Sequence, residues 1–302
     1  MAERGACLPA QRIARRAADV RPTTEASVLL AAESAMTRRP VDVNAWIGEY
    51  PFRAVPHPEP DVLARVLERE QFGGAWVGHL PGAFHRDPGP SNRTLYRALA
   101  PYRGLLHPTP IVRPDWPGWE RTLAEAIREG APAVRAYPAQ WGLGPGVAMS
   151  ALAVACGEAG IVLHVTVRFE DLRQRHPLDS AGDVSAATLR AIARTPGSRC
   201  QLLVAGAGRE LIEETHWGLT PAEQERVTYD FCWLWGPPED HFQHVVRTIG
   251  PARLAWSTSW PLRLAQQSRA LVALLPDELR AHVPDEAFAD GRQLTEAARR
   301  AL

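Results

Sequence analysis

AVRAY at Ala133–Tyr137, GVAMSALAVACGEA at Gly146–Ala159 and IVLHVTVR at Ile161–Arg168 follow one another in the chain. They read as a short strand, an apolar helix closed by Gly160, and a second β-branched strand. Two strands divided by a helix in this way form a parallel βαβ unit. The same rhythm runs outward in both directions. Upstream, strands are predicted at Val41–Gly48, Gly74–His79 and Leu105–Val112, and downstream at Gln201–Gly206, Arg226–Trp233 and Arg253–Trp260. Helical periods fill the gaps at Asp61–Gln71, Asn92–Leu99, Trp119–Glu129, Ser185–Arg194, Arg209–Glu214, His241–Ile249 and Leu262–Leu275. Asp61 and Asn92 stand where N-caps belong, and Gly130, Gly160 and Gly250 where C-caps belong. Eight such strands in alternation predict an α/β fold, a (β/α)8 TIM barrel. An open doubly wound sheet needs a glycine fingerprint after its first strand; here Gly206-Ala-Gly208 lacks the third glycine and reads as a turn.

In a barrel of this kind chemistry collects at the C-terminal strand ends, and residues two apart share a face. Parity then presents Asp42, Asn44 and Trp46 from the first strand, His79 from the second, and Arg135 and Tyr137 from the fourth. The fifth offers His164, Thr166 and Arg168, the seventh Tyr229 or Asp230 according to register, and the eighth Ser257 and Ser259. Trp46, Trp141, Trp233, Trp235, Trp256 and Trp260 are candidates to line the mouth, or simply to fill it.

Composition narrows the chemistry. Basic and acidic residues balance at 34 each, so the basic excess of a nucleic-acid binder is missing. Every basic residue is arginine, which removes Schiff-base chemistry, a P-loop lysine and a carbamylated-lysine metal bridge. Cys7, Cys156, Cys200 and Cys232 lie too far apart for paired metal-ligand motifs and read as reduced thiols of a cytoplasmic protein. The longest apolar stretch stops at Glu158, short of a membrane span, and residues 1–39 lack an apolar signal core. That segment reads as a poorly ordered N-terminal tail preceding a single barrel over residues 40–302.

VDVNAWIG at Val41–Gly48 resembles the first-strand Asp-x-His-x-His-x-Gly of the amidohydrolase-related (amidohydrolase 2) family, and GPARLAWSTSWP at Gly250–Pro261 resembles its eighth-strand signature. The order of Ala133–Pro138, Gly160–Thr166 and Leu203–Gly208 fits the same family, and Gly291–Leu302 resembles its closing helix. The resemblance implies a barrel that holds a divalent metal through residues here represented by Asn44, Trp46, Thr166, Gly206 and Ser259. A shifted register would bring His164 to the fifth-strand position. These are poor zinc ligands, so no metal or other cofactor is expected. With Ser259 in place of the family's proton-shuttling aspartate, acid and base must come from elsewhere.

The densest polar run is HVTVRFEDLRQRHP, His164–Pro177. From it His164, His176 and Arg168 are taken as catalytic candidates, with Asn44, Trp46, Arg135, Tyr137, Asp171, Arg173 and Ser259 as substrate-binding candidates. Arginine forks suit carboxylates, and histidine moves protons near neutrality. Asp171, Glu170, Arg168 and Arg173 equally suit a salt-bridged loop that only closes the barrel. Arg135 stands where the family places a lysine; once buried, it needs a carboxylate from the protein or from a ligand. Three readings follow. The first is a metal-independent hydrolase or lyase acting on a small anionic carboxylate or lactone. The second is a non-catalytic homologue, a pseudoenzyme serving as partner or ligand-binding subunit, within a homo-oligomer or beside a catalytic relative. The third is a barrel with a rearranged metal set of His79, His164 and Asp230.

Overall fold

The computed structural model describes residues 39–302; the expected tail and Cys7 lie outside the described residues. Eight parallel strands alternate with helices: β1 (Val41–Ile47), β2 (Gly74–His79), β3 (Leu106–Pro108), β4 (Ala133–Ala136), β5 (Val162–Thr166), β6 (Leu202–Ala205), β7 (Val227–Asp230) and β8 (Leu254–Ala255). They pair as β1-β2-β3 and as β4-β5-β6-β7-β8. Two seams close these runs into one barrel. Between β3 and β4, Val112 N–H donates to Arg135 O and Arg135 N–H to Pro110 O. Between β8 and β1, the donors Val43 N–H, Ser259 N–H and Trp46 N–H reach Trp256 O, Asn44 O and Trp260 O. The first seam is sparse because Pro108 and Pro110 have no N–H to give, so β3 stops three residues after it starts. Asn92 repairs it. Its side chain donates to Ile111 O and accepts from Ile111 N–H, each at 2.8 Å, as a neighbouring strand would. Asn92 lies inside the helix Gly89–Leu99 and is not its N-cap. Asp61 is likewise no cap: it sits in the first helical turn and pairs with Arg65 at 2.9 Å, while Gly160 does end its helix at φ +61.

Strand parity sorts the interior. Val41, Val43, Trp76, Ala133, Val162, Leu203 and Ala255 make an apolar floor at the N-terminal end. The closing helix Gly291–Arg300 seals it, with Asp290 accepting from Val41 N–H and a capping box to Gln293. Outward residues, among them Tyr229 and Trp256, join the large core beneath the helices. Trp256 packs there against Phe72, Phe231 and Phe288, which removes it from the mouth. Among the described residues no helix is long and apolar enough to cross a membrane.

Candidate active site at the C-terminal end of the barrel

A β-bulge in β1 sets the geometry. Asp42 faces Ala75 and Ala45 faces Val77, so three steps on β1 answer two on β2. The extra residue lets Val43 join the floor while Asn44 turns into the lumen. It also swings Asp42 out of the inward row that simple parity assigns it. Asp42 lies in the β8–β1 seam, accepting from Asn44 N–H at 2.8 Å, Thr258 N–H at 3.1 Å and the Thr258 hydroxyl at 2.6 Å. Burial pushes its carboxyl up to about 6, against the lowering effect of these donors and of Arg135. Thr258 carried no signal in the sequence; its role depends on the bulge.

Arg135 occupies the centre. It is fully buried, and its fork is spent on protein oxygens: Nε to Thr109 Oγ1 at 2.7 Å, one Nη to Asn44 Oδ1 at 2.8 Å, the other to Ala45 O and Trp76 O at 3.2 Å. The indole of Trp46 lies 3.9 Å from the guanidinium carbon, a cation–π contact. Burial lowers the Arg135 pKa to about 10, opposed by Tyr137, Asp42 and Asp230, so the charge persists at neutral pH. Among the described residues no carboxylate touches it. Asn44 instead relays to Asp230, donating from Nδ2 to Oδ2 at 2.9 Å. This contact settles the seventh-strand register: Asp230 faces inward and Tyr229 outward. Asp230 also accepts from Gly206 N–H at 2.8 Å and from the Cys232 thiol at 3.3 Å, and burial raises its pKa. Gly206 can donate so because its φ is +82, and a Cβ there would meet Arg168 O at 2.9 Å.

Gly78 on β2 is the residue that makes room for the cation. A Cβ on it would come within 2.7 Å of Arg135 Nε and 2.9 Å of Trp46 Cε3. Gly78→Ala is therefore expected to cost about 1–3 kcal/mol by overpacking. Urea unfolding measures this, and an unchanged midpoint would show that the stack yields freely.

His164 stands beside Arg135 in the β4–β5 register, is fully buried, and has no protein partner on either ring nitrogen. Burial, and then the Arg135 charge, hold its pKa well below 6.5, so the imidazole is neutral. The hydroxyl of Thr166 one turn of the pleat above it and the indole N–H of Trp46 are also buried without partners among the described residues, while the phenol of Tyr137 is buried beside Arg135. These are mainly donors. Ser259 ends the eighth segment at φ +53, a left-handed conformation unusual for serine, with its N–H on Asn44 O.

The candidates of the fifth segment divide. His164 belongs to the lumen with Asn44, Trp46, Arg135, Tyr137 and Ser259. Arg168, Asp171, Arg173 and His176 belong to the loop that follows β5. There Asp171 pairs with Arg173 at 2.9 Å, Arg168 with Asp183 at 2.7 Å, and the His176 ring stacks on Phe52 at 5.7 Å. Arg168, Asp171 and Asp183 line one side of a cleft of about 340 Å³, whose other side is Gly208, Arg209, Trp233 and Trp235. It opens because Gly206-Ala-Gly208 is so short beside its neighbours.

The lumen does not suit a divalent metal. Asn44 is committed at both ends of its amide, Trp46 covers a guanidinium, and Gly206 has no side chain. His79 is bound to Ser91 Oγ at 2.6 Å. Among the described residues no three His, Cys, Asp or Glu side chains gather as a metal ion would require.

No family model and no curated protein matches the chain. Solved structures do. A candidate 2-pyrone-4,6-dicarboxylic acid hydrolase of Pseudomonas putida is 17% identical, with a TM-score of 0.56 over 86% of this chain and 98% of its own. The 2,6-dihydroxybenzoate decarboxylase of Rhizobium is 10% identical, with a TM-score of 0.59 over 85% of this chain and 98% of its own. A structure of an amidohydrolase II is 11% identical, with a TM-score of 0.59 over 87% and 99%. The likeness establishes the fold alone, a (β/α)8 barrel.

Proposed function

We propose that this barrel is a metal-independent hydrolase or lyase acting on a small anionic carboxylate or lactone; the substrate class is supported by neighbours named for hydrolysing a pyrone dicarboxylic acid and decarboxylating a dihydroxybenzoate. One observation carries the reading: a buried guanidinium charge stands beside a neutral, unpartnered imidazole and a set of unpartnered donors. The sequence suggests that Arg135 grips the substrate. Four of its five N–H groups are held by protein oxygens, so its main part is the field it projects, which favours negative charge developing beside it. Direct hydrogen bonds to that charge would come from Thr166, Tyr137 and the Trp46 indole.

In lactone hydrolysis the neutral His164 takes a proton from water as the oxygen attacks the carbonyl. The resulting imidazolium then gives that proton to the departing ring oxygen, leaving a hydroxy acid. At rest His164 is a weak base, because its cation would be buried away from water and would also stand next to Arg135. An oxyanion forming between them offsets that repulsion, so the proton moves readily only when substrate is turning over. Asp230, linked to Arg135 through the amide of Asn44, offsets positive charge there to the extent that it is ionised.

His164→Asn, similar in reach and unable to accept a proton, is expected to lower kcat by about 10²–10⁴ with KM little changed. The assay offers 2-pyrone-4,6-dicarboxylate and 2,6-dihydroxybenzoate, the compounds named for the neighbours, to protein treated with a strong chelator. Activity that survives chelation and vanishes in the variant supports the reading. Loss of activity on chelation alone refutes it.

A further inference from the structure

Two cysteines meet at the N-terminal end of the barrel, opposite the candidate site. Cys156 lies near the end of the helix Val147–Ala159 that leads into β5, and Cys200 stands just before β6. Ala153 shares a face of that helix with Cys156 and Gly157, the residues three and four positions on. The segment 198–200 runs against this face. The Ser198 hydroxyl donates to Ala153 O at 3.0 Å and accepts from Cys200 N–H at 3.2 Å, tying the segment to the helix. Gly157 lets the two main chains close: a Cβ there would meet Cys200 N at 2.9 Å and Arg199 N at 3.1 Å. A side chain at this position would hold the entry to β6 off the helix and part the cysteines. Cys200 donates its thiol proton to Gln201 O at 3.4 Å, which leaves its sulfur lone pairs for the thiol of Cys156, and the two side chains are hydrogen-bonded.

We infer that Cys156 and Cys200 are an oxidisable dithiol, a modification site at which a peroxide closes one disulfide between this helix and the entry to β6. Cys156, Cys200 and Cys232 are thiols in the structure. Cys232 is the contrast: it is wholly buried, and its thiol is spent on the Asp230 carboxylate instead of a second sulfur. Cys200 is where the oxidant enters. It sits directly behind the turn 196–199, which is exposed at Pro196, Gly197 and Arg199, and it keeps 5% of its surface, whereas Cys156 keeps none. Burial, and then the bond to Cys200, raise the Cys156 thiol pKa, so Cys156 holds its proton until its neighbour has reacted.

Peroxide is the only co-reactant needed. The Cys200 sulfur attacks one peroxide oxygen: an S–O bond forms, the O–O bond breaks, and the departing hydroxide takes the thiol proton to become water. The Cys156 sulfur then attacks the sulfur of the sulfenic acid. The S–S bond forms, the S–O bond breaks, and the hydroxide released leaves with the Cys156 proton as a second water. Two thiols have lost two electrons and one peroxide has become two waters. The Ser198 bridge and the bare Gly157 already fix the spacing of the two main chains, so closure asks only for rotation of two short side chains. The pair stands apart from the lumen and owes nothing to the catalytic reading.

The test uses the full chain carrying Cys7→Ser, which removes the cysteine outside the described residues. Trypsin cuts this lysine-free chain only after arginine, so Cys156 falls in the peptide 136–168 and Cys200 in the peptide 200–209. A small excess of hydrogen peroxide, added to the folded protein, is expected to remove two of the three remaining thiols. Mass spectrometry is expected to find those two peptides joined, and dithiothreitol to separate them. The oxidised chain is expected to melt about 5–10 °C above the reduced one, because the bond closes the long loop from 156 to 200 without strain. In Cys156→Ser, dimedone is expected to trap a sulfenic acid at Cys200; in Cys200→Ser, Cys156 is expected to remain a thiol. Gly157→Ala, which pushes the helix off the Cys200 backbone, is expected to slow formation of the joined peptide by about tenfold or more. Survival of all three thiols, a sulfinic acid at Cys200 in place of the joined peptide, or a bond from either cysteine to Cys232 would overturn the assignment. A joined peptide in a chain that melts lower than the reduced one would overturn the claim that the fold is set for closure.

Discussion

Arg135→Met is expected to lose about 3–5 kcal/mol of stability, the toll of breaking a buried charged network from one side. Methionine fills most of the volume and keeps a soft contact with the Trp46 face, so little of the loss would be cavity. What disappears is a set of five donors. Asn44 Oδ1, the Thr109 hydroxyl and the carbonyls of Ala45 and Trp76 would lose the partner they have now. Asp42 and Asp230 would also lose the nearest positive charge, and both already resist ionisation. Arg135→Lys restores the charge but not the fork: one ammonium cannot reach four oxygens spread over β1, β2 and the exit of β3. Lysine is therefore expected to recover less than half of the methionine loss. Urea unfolding with the slope held constant measures both variants. A methionine variant within about 1 kcal/mol of the native chain would mean that the network is ornamental.

How this network reads from the sequence depends on the element. The eight strands are legible because each is short, apolar and followed by a helix of ordinary length, a pattern that survives errors of a residue or two at the ends. Parity correctly turns Asn44, Trp46, Arg135 and His164 inward. It mishandles Asp42, since nothing in Val41-Asp-Val-Asn44 announces the extra residue that reorients it, and a bulge is decided by the partner strand as much as by its own. Gly78 is visible as a glycine, yet its reason for being one lies in side chains from β1 and β4. The polar run after β5 is dense enough to suggest a single site. In three dimensions a strand end divides it, and Arg168 marks the break between the lumen and the loop after β5.

The closed mouth bears on why a non-catalytic reading is tempting. A buried histidine with no partner and an arginine turned onto protein oxygens resemble the remains of a site once a metal has been lost. The unpartnered groups argue otherwise. A barrel under no demand to bind would gain about 1–3 kcal/mol for each buried polar atom exchanged for an apolar one. Here such groups collect at the C-terminal strand ends, Trp46 from β1 and His164 and Thr166 from β5.

Asp42→Asn is expected to separate in stability from the native chain as a function of pH. Below about pH 4 the two should be nearly equal, since the native carboxyl is then protonated in both folded and unfolded forms. The asparagine fits: its oxygen can accept from Asn44 N–H and Thr258 N–H, and its amide can donate to the Thr258 hydroxyl in place of receiving from it. In the native chain burial raises the Asp42 pKa from 3.8 to about 6, so the folded form binds its proton more tightly than the unfolded form. The stability this confers is full below the unfolded value and lost as pH rises through the folded one. A shift of that size corresponds to about 3 kcal/mol. The gap should therefore widen by up to that amount in favour of the asparagine variant between about pH 4 and pH 7. His164 works in the opposite sense. Its lowered pKa keeps it neutral in the folded form, so its contribution is lost as pH falls below 6.5; present in both proteins, it cancels in the difference. Unfolding curves at four pH values decide the matter. Parallel stabilities would mean that Asp42 stays ionised throughout, and that the Arg135 charge is answered directly by a carboxylate across the β8–β1 seam instead of through the amide of Asn44.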